Sequence, residues 1–211
     1  MKFQILKIQA HNLFFDVNQL IKSVGLALKT RLEIFFSKGE TNFRFHYWGT
    51  DYSVPIKHEF VRRVHNYDLS FLLERAKNPL CVKAFKVYFI TSTAMKDGVF
   101  RGAVNPRVHP DGIWHLFLTY TPDYKHFCLS TWGRMLGHNA RMSFEQVTRF
   151  TKDEYWRVCN VMSTVTGEDY FDVLDLLQSE EFPNRDDWPQ DQAHGFEGTD
   201  AQHEFEKVLK H

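Results

Sequence analysis

The sequence has few cysteines and no long apolar run. Three cysteines occur in 211 residues, at positions 81, 128 and 159. Their odd number and wide spacing argue against a disulfide framework or a zinc cluster, so we expect a reducing, cytoplasmic compartment. No segment approaches the roughly 18 uninterrupted apolar residues of a membrane helix, and the first residues lack the features of a signal peptide. We therefore expect no membrane partner.

Compact catalytic motifs are also missing. The chain contains no GxGxxG, GxxxxGK[ST], GxSxG, HExxH or CxxC sequence, which weakens nucleotide-fold, hydrolase and zinc-enzyme interpretations. We accordingly expect neither a cofactor nor a metal. At 43% hydrophobic and 25% charged residues, the composition is that of an ordinary globular chain with a sizeable core.

The formal net charge of zero conceals a strong asymmetry. Residues 1–150 contain 21 Lys and Arg against 11 Asp and Glu, whereas residues 151–211 contain 5 against 15. A basic body followed by an acidic end is typical of nucleic-acid-binding proteins, whose acidic tails can compete for the basic surface. The alternative is that both sets of charges are simply solvated.

Hydrophobic periodicity predicts an α+β fold. The order strand, helix, strand, strand, helix, strand over the first 91 residues is that of a ferredoxin-like, or split βαβ, sheet. Strands are expected at 2–8, 31–36, 43–48 and 81–91, and helices at 13–29 and 57–76, the latter interrupted near 66–68.

A second hairpin and a helical segment are expected after this sheet. Residues 113–121 and 124–132 resemble two strands joined by a Pro-Asp turn, and several capping-box sequences follow. The expected organisation is a sheet core over 1–135, a helical subdomain over 140–178, an acidic mobile linker over 179–200 and a short terminal helix over 201–211.

The first hairpin supplies the most suggestive binding feature. Phe43, Phe45 and Tyr47 alternate with polar or exposed positions and are expected to face the core. The opposite face carries a basic and aromatic set that suits nucleic-acid contact. With scattered arginines elsewhere, the candidate nucleic-acid-binding residues are Arg44, His46, Trp48, Arg62, Arg63, Arg101 and Arg107.

An enzymatic alternative rests on a dispersed set of polar residues. His109, Asp111 and His115 are the candidate catalytic residues of a metal-dependent nuclease or replication-type enzyme. Asp111 and Asp123 match the letters of a PD-(D/E)xK nuclease. If 113–121 is one strand, however, the two carboxylates lie roughly 30–40 Å apart, too far to share a metal.

Aromatic residues are interspersed among the acidic residues near the end of the chain. Phe182, Trp188 and Phe205 are candidate partner-binding residues, since an aromatic in an acidic segment can dock on a basic surface. The leading hypothesis is therefore a non-enzymatic binding protein for nucleic acid or a nucleoprotein complex, for example an accessory factor of a phage or mobile element. The alternatives are the nuclease and a protein–protein scaffold or inhibitor, with self-association through the helices 143–178.

Overall fold

A computed structural model describes residues 2–47, 49–76, 79–98, 103–104, 108–137, 147–148 and 152–170. Helices predominate in this part of the chain. The helices are α1 (Lys2–Phe35), α2 (His58–Asn66), α3 (Ser70–Ala76), α4 (Pro79–Asp97), α5 (Val108–Thr119), α6 (Thr121–Thr131) and α7 (Lys152–Thr166). An antiparallel hairpin joins β1 (Glu40–Tyr47) to β2 (Thr50–Lys57), and a short parallel bridge joins β3 (Ala103–Val104) to β4 (Val147–Thr148).

The prediction of a ferredoxin-like sheet is wrong. The segments 2–8 and 31–36, expected as strands, are the two ends of the 34-residue helix α1. The helical spacing recognised over 13–29 continues through Leu32 and Phe35, and nothing between Thr30 and Arg31 breaks a helix. The short alternating patterns at either end were therefore pieces of a longer helical period.

The predicted central strand 81–91 is also a helix. The middle of α4 is buried on all sides, including Val87, Phe89 and Ile90. Its apolar residues therefore show no periodicity that would distinguish a helix from a strand. Thr91 and Thr93 are buried as well, and their hydroxyls donate to the carbonyls of Val87 at 2.8 Å and Phe89 at 2.6 Å. This back-bonding satisfies both hydroxyls within the helix.

The second predicted hairpin, 113–121 with 124–132, is replaced by the helix pair α5 and α6. Leu116 and Phe117 are both buried, which an alternating strand with one solvent face would not allow. Pro122, interpreted as a turn residue, lies in the first turn of α6, where its missing N–H costs no hydrogen bond.

The first hairpin exists, although its strands differ from the expectation. β1 pairs with β2, and not with 31–36, through a turn at Gly49, whose φ of 75° suits glycine. Phe43 and Phe45 face the core at 2% and 4% exposure, as the alternation predicted. The expected interruption near 66–68 is confirmed, because α2 ends at Asn66 and α3 begins at Ser70.

The core is an aromatic cluster centred on α4. The rings of Phe85, Phe89, Phe117 and Phe127 lie with centroids 4.6–6.1 Å apart, so α4, α5 and α6 share one apolar interior. The domain boundaries proposed above remain predictions.

The C-terminal half of α1 is joined to this core by ion pairs. Arg31 reaches Asp97 at the end of α4 at 3.0 Å, and Glu33 pairs with Arg63 of α2. Thr30 is buried against α6. The preceding described stretch of α1, from Asp16 to Lys22, is exposed throughout.

Candidate nucleic-acid interface

The outer face of the hairpin carries two of the predicted binding residues. Arg44 and His46 are both exposed on β1, opposite Ser53 and Asp51 of β2. The His46 Nδ1 atom lies 2.8 Å from the Asp51 Oδ1 atom. Among the described residues no ion pair to Arg44 is found.

Helix α7 adds a second arginine at the edge of this hairpin. The guanidinium of Arg157 donates a hydrogen bond to the main-chain carbonyl of Arg44. This contact uses one of the five N–H donors of an arginine. Trp156, which is 40% exposed, precedes Arg157 on the same solvent side of α7. We call Arg44, His46, Trp156 and Arg157 the β1–α7 patch.

The two predicted arginines of α2 have different surroundings. Arg62 is exposed and lies 4.0 Å from Glu59. Arg63 is held by Glu59 at 2.9 Å, by Glu33 and by the carbonyl of Ser130 at 3.2 Å. Arg63 therefore joins α1, α2 and α6, and its charge is already compensated.

Another pair of arginines shares one carboxylate. Arg31 and Arg134 both contact Asp97, at 3.0 and 2.7 Å, and the indole N–H of Trp132 donates to the same carboxylate at 2.7 Å. The Arg134 guanidinium also lies 5.4 Å from the centre of the Trp132 ring. These basic residues connect α1, α4 and the end of α6, so their primary role is structural.

The structure brings two of the predicted catalytic residues together on one helix. Asp111 and His115 are one turn apart in α5, with Nε2 of the histidine 3.7 Å from Oδ1 of the aspartate. Burial lowers the pKa of His115, which favours the neutral imidazole at pH 7. An i,i+4 pair of this kind is common on helices. Within the described part of the chain no three His, Cys, Asp or Glu side chains form a group that could hold a metal.

A second histidine lies in a denser polar cluster. His65 at the end of α2 contacts the hydroxyl of Tyr170 through Nδ1 and Glu168 through Nε2 at 3.1 Å. Lys83 approaches the same glutamate at 3.5 Å. Desolvation lowers the pKa of His65, against the opposing effect of Glu168. Tyr170 is 2% exposed, so its hydroxyl is not accessible to a large substrate.

The cysteines show no sign of catalytic activation. Cys81, Cys128 and Cys159 are all buried and unpaired. Burial raises the pKa of the first two thiols to about 11 and of the third to about 12. They are therefore protonated at neutral pH and weak nucleophiles.

The other predicted site residues lie outside the described residues. These are Trp48, Arg101, Arg107, Phe182, Trp188, Phe205 and the side chain of His109. Their roles stay predictions.

Comparison with known proteins gives no relative. No family model, no curated protein and no solved structure matches the chain. Within the helices described, no stretch has the length and apolar character needed to cross a bilayer. Any functional argument therefore starts from the surfaces of this molecule.

Sequence reasoning missed the α7 half of the β1–α7 patch. The buried side of α7 contains Tyr155, Val158 and Met162, spaced at the helical period, which leaves Trp156 and Arg157 on the opposite side. The spacing was visible in the sequence. The proximity of Arg157 to β1 was not, because it depends on how α7 packs against the hairpin.

Proposed function

We propose that this chain is a non-enzymatic binding protein that contacts nucleic acid through the β1–α7 patch. The observation that carries the proposal is the approach of Arg157 to Arg44, which places two arginines from separate elements at one exposed edge. Arginine is well suited to phosphate oxygens because its planar guanidinium donates several hydrogen bonds. Trp156 supplies an exposed aromatic surface on which an unpaired base can stack.

A single-stranded ligand suits this surface best. Unpaired bases present their faces to aromatic side chains, whereas the bases of a duplex are stacked on each other. The excess of basic residues over 1–150 would add a general attraction for the phosphate backbone. Arg31, Arg63 and Arg134 are already held by carboxylates, with Asp97 shared by Arg31 and Arg134, so they are less free to rearrange around a phosphate.

The test is fluorescence anisotropy of labelled single- and double-stranded DNA and RNA at low salt. The double variant Arg44→Ala/Arg157→Ala is expected to weaken binding about tenfold or more, since charge-assisted contacts to two arginines are lost. Trp156→Ala is expected to weaken single-strand binding by about 1–3 kcal/mol while changing duplex binding little.

Arg75→Ala provides the matched control. Arg75 belongs to α3 and lies 5.9 Å from the Tyr120 ring, so its loss removes the same charge from another part of the surface. If Arg75→Ala weakens binding as strongly as the loss of Arg44 or Arg157, the protein attracts nucleic acid through its overall positive charge. The β1–α7 patch is then not the site. If the unaltered chain binds none of the four polymers, the proposal fails.

Protein binding is the second candidate function, and an unusual helix surface favours it. Part of the exposed surface of α1 is a continuous set of large apolar residues, among them Leu20, Val24 and Leu28 at 58–60% exposure. Large exposed apolar patches are uncommon on monomers and mark interaction sites. The candidate surface for protein binding is therefore α1, in contrast to the helices 143–178 favoured by the sequence.

A further inference from the structure

Helix α1 presents large apolar residues to solvent as well as to the body of the protein. The side that packs on the body contains Ser23, Ala27 and Thr30 together with the partly buried Leu26 and Ile34. The side about 120° away is formed by large apolar residues. These are 43–72% exposed and form what we call the apolar stripe: Val17, Leu20, Ile21, Val24, Leu28, Leu32 and Phe35.

We propose that the apolar stripe of α1 binds the apolar stripe of a second copy of this chain, with the two helices antiparallel. The proposal is independent of nucleic-acid binding at the β1–α7 patch. It deepens the second candidate function by naming the partner.

The area of the stripe is at the lower end of what a stable dimer buries. An aromatic side chain buries roughly 150–250 Å² and an aliphatic one less, so seven side chains at 43–72% exposure offer on the order of 600 Å² per chain. A standard protein–protein interface buries about 800 Å² per partner. A free surface of this size would be a substantial aggregation hazard for a monomer.

When one helix is reversed, six of the seven stripe residues face another stripe residue, whereas Ile21 faces the partner subunit's Arg31. If the two helices cross at residue 26, each residue of one helix lies opposite a residue of the other, and the two residue numbers add up to 52. Val24 then faces Leu28, and Leu20 faces Leu32. At the ends of the stripe, Val17 faces Phe35, which places the smallest side chain against the largest.

The parallel arrangement is less favourable for the same residues. It would oppose Phe35 to Phe35 and Val17 to Val17, giving layers of unequal volume. It would also bring the two protein bodies side by side, because each body is attached to the C-terminal half of α1 through Thr30, Arg31 and Glu33. Reversal directs the bodies toward opposite ends of the helix pair.

Gly25 supports a close helix–helix contact near this crossing point. Glycine destabilises the interior of a helix relative to alanine, yet a Cβ atom built at Gly25 would meet nothing within 4 Å. Intramolecular packing therefore gives no reason for glycine at this position. A partner helix beside the stripe does, since the absence of a side chain lets the two backbones approach.

The charges favour a second chain over a lipid surface. Within residues 16–35 of α1, Arg31 and Glu33 are engaged with the body, and the cations beside the stripe are Lys22 and Lys29, the latter also 3.9 Å from Glu33. Two lysines give weak attraction to an anionic bilayer, whose binding helices are rich in Lys and Arg. In the antiparallel pair Lys22 lies near Lys29 of the partner subunit, so added salt should strengthen the dimer.

The first experiment is sedimentation equilibrium of the full chain over a range of concentrations and salt. We expect a species of twice 25.0 kDa that becomes more abundant as salt rises. Leu28→Glu should weaken the dimer by a factor of about 100 or more, because it places an unpaired carboxylate between two apolar helices. Gln19→Glu adds the same charge to an exposed position off the stripe and should leave the dimer intact.

The second experiment fixes the direction of the helices. Chains with Val24→Cys are mixed with chains carrying Leu28→Cys under a mild oxidant, and the native cysteines, being buried, do not react. Preferential formation of the mixed disulfide is expected. Preferential homodisulfides at Val24→Cys would overturn the antiparallel register that crosses at residue 26.

If the chain stays monomeric at all concentrations, the proposal is overturned. This holds even if another protein or a vesicle of anionic lipid is then found to bind the stripe. Loss of the dimer in Gln19→Glu as well as in Leu28→Glu would also overturn it. Nucleic-acid binding by the monomeric Leu28→Glu variant is measured separately by fluorescence anisotropy. Because Arg44 and Arg157 are unchanged in this variant, failure of the dimer proposal and failure of the nucleic-acid proposal give different results.

Discussion

Individual residues between α1 and the end of α6 determine how closely these elements approach. Gly133 has a φ of 75°, and a Cβ atom there would lie 2.7 Å from the main-chain oxygen of Ala27 and also collide with the Arg31 side chain. Asp97 contacts Arg31, Arg134 and Trp132 beside it. This junction therefore depends on the absence of one side chain and the presence of one carboxylate.

Replacing Gly133 with alanine should lower the free energy of unfolding by about 2–4 kcal/mol, since it combines backbone strain with a collision against main chain. Denaturant unfolding followed by circular dichroism measures the change. Gly167→Ala is the matched control, because Gly167 has nearly the same φ of 76° with nothing within 4 Å of its Cβ position. We expect Gly167→Ala to lower the free energy of unfolding by about 1 kcal/mol. Equal losses in the two variants would contradict the steric explanation.

The histidine cluster predicts a pH dependence of stability. Burial lowers the pKa of His65 below the ordinary value of 6.5, so the unfolded chain binds more protons than the folded chain near this pH. The contribution of His65 to stability is therefore complete above 6.5 and is lost as the pH falls through that value toward the folded pKa.

The measurement is the free energy of unfolding at about pH 7.5 and about pH 5.5 for the unaltered chain and for His65→Gln. We expect a smaller loss on acidification in the variant, because glutamine does not titrate. An identical loss in the two proteins would show that His65 does not contribute.

At the scale of elements, the end of α2 depends on a lysine from α4. The ammonium of Lys86 donates to the carbonyls of His65 at 2.6 Å and Tyr67 at 3.0 Å, which are among the groups that a helix C-terminus leaves unpaired. Burial lowers the pKa of Lys86 to about 8. The cap is therefore strongest at neutral and lower pH, where the ammonium form predominates.

Lys86→Met should destabilise the chain by about 2–3 kcal/mol, because two carbonyls lose a charged donor in a partly buried site. Lys83→Met serves as the comparison: Lys83 is one turn earlier, its side chain is 42% exposed, and it pairs with Glu168 at 3.5 Å. We expect that change to cost less than about 1 kcal/mol. Thermal or urea unfolding distinguishes the two, and a larger effect at Lys83 would refute the capping role.

Which elements could be predicted from the sequence depends on how they are buried. β1 has one buried and one exposed face, so its alternation identified Phe43 and Phe45 as core and Arg44 as surface. α4 is buried on all sides and has no such contrast. The start of α4 at Pro79 was a usable helix signal, because proline is favoured in the first turn.

The same reasoning explains what could be found of the candidate site. Arg44 and His46 were identified from strand alternation, which is a local property. The approach of Arg157 and the compensation of Arg63 depend on packing between elements far apart in sequence, and local periodicity does not carry that information. The exposure of the apolar stripe also required the structure, because helical periodicity shows which residues share a face and does not show whether that face is covered.

For the whole molecule, the separation of charge along the chain leads to a prediction about the acidic end. Residues 151–211 carry 15 acidic residues against 5 basic ones. If these acids compete with nucleic acid for the basic body, replacing Glu180, Glu181, Asp186 and Asp187 with their amides should tighten binding several-fold at low salt. Anisotropy titration measures this effect. Unchanged affinity would mean that these four acids do not compete.

The central claim is that the β1–α7 patch contacts the phosphate backbone. Its most direct test is the dependence of nucleic-acid affinity on salt, compared between the full chain and Arg44→Ala/Arg157→Ala. We expect the logarithm of the association constant to fall linearly with the logarithm of salt concentration, and the slope for single strands to decrease by about 0.7 for each arginine removed. An unchanged slope in the double variant, or no binding by the full chain at low salt, would contradict the claim.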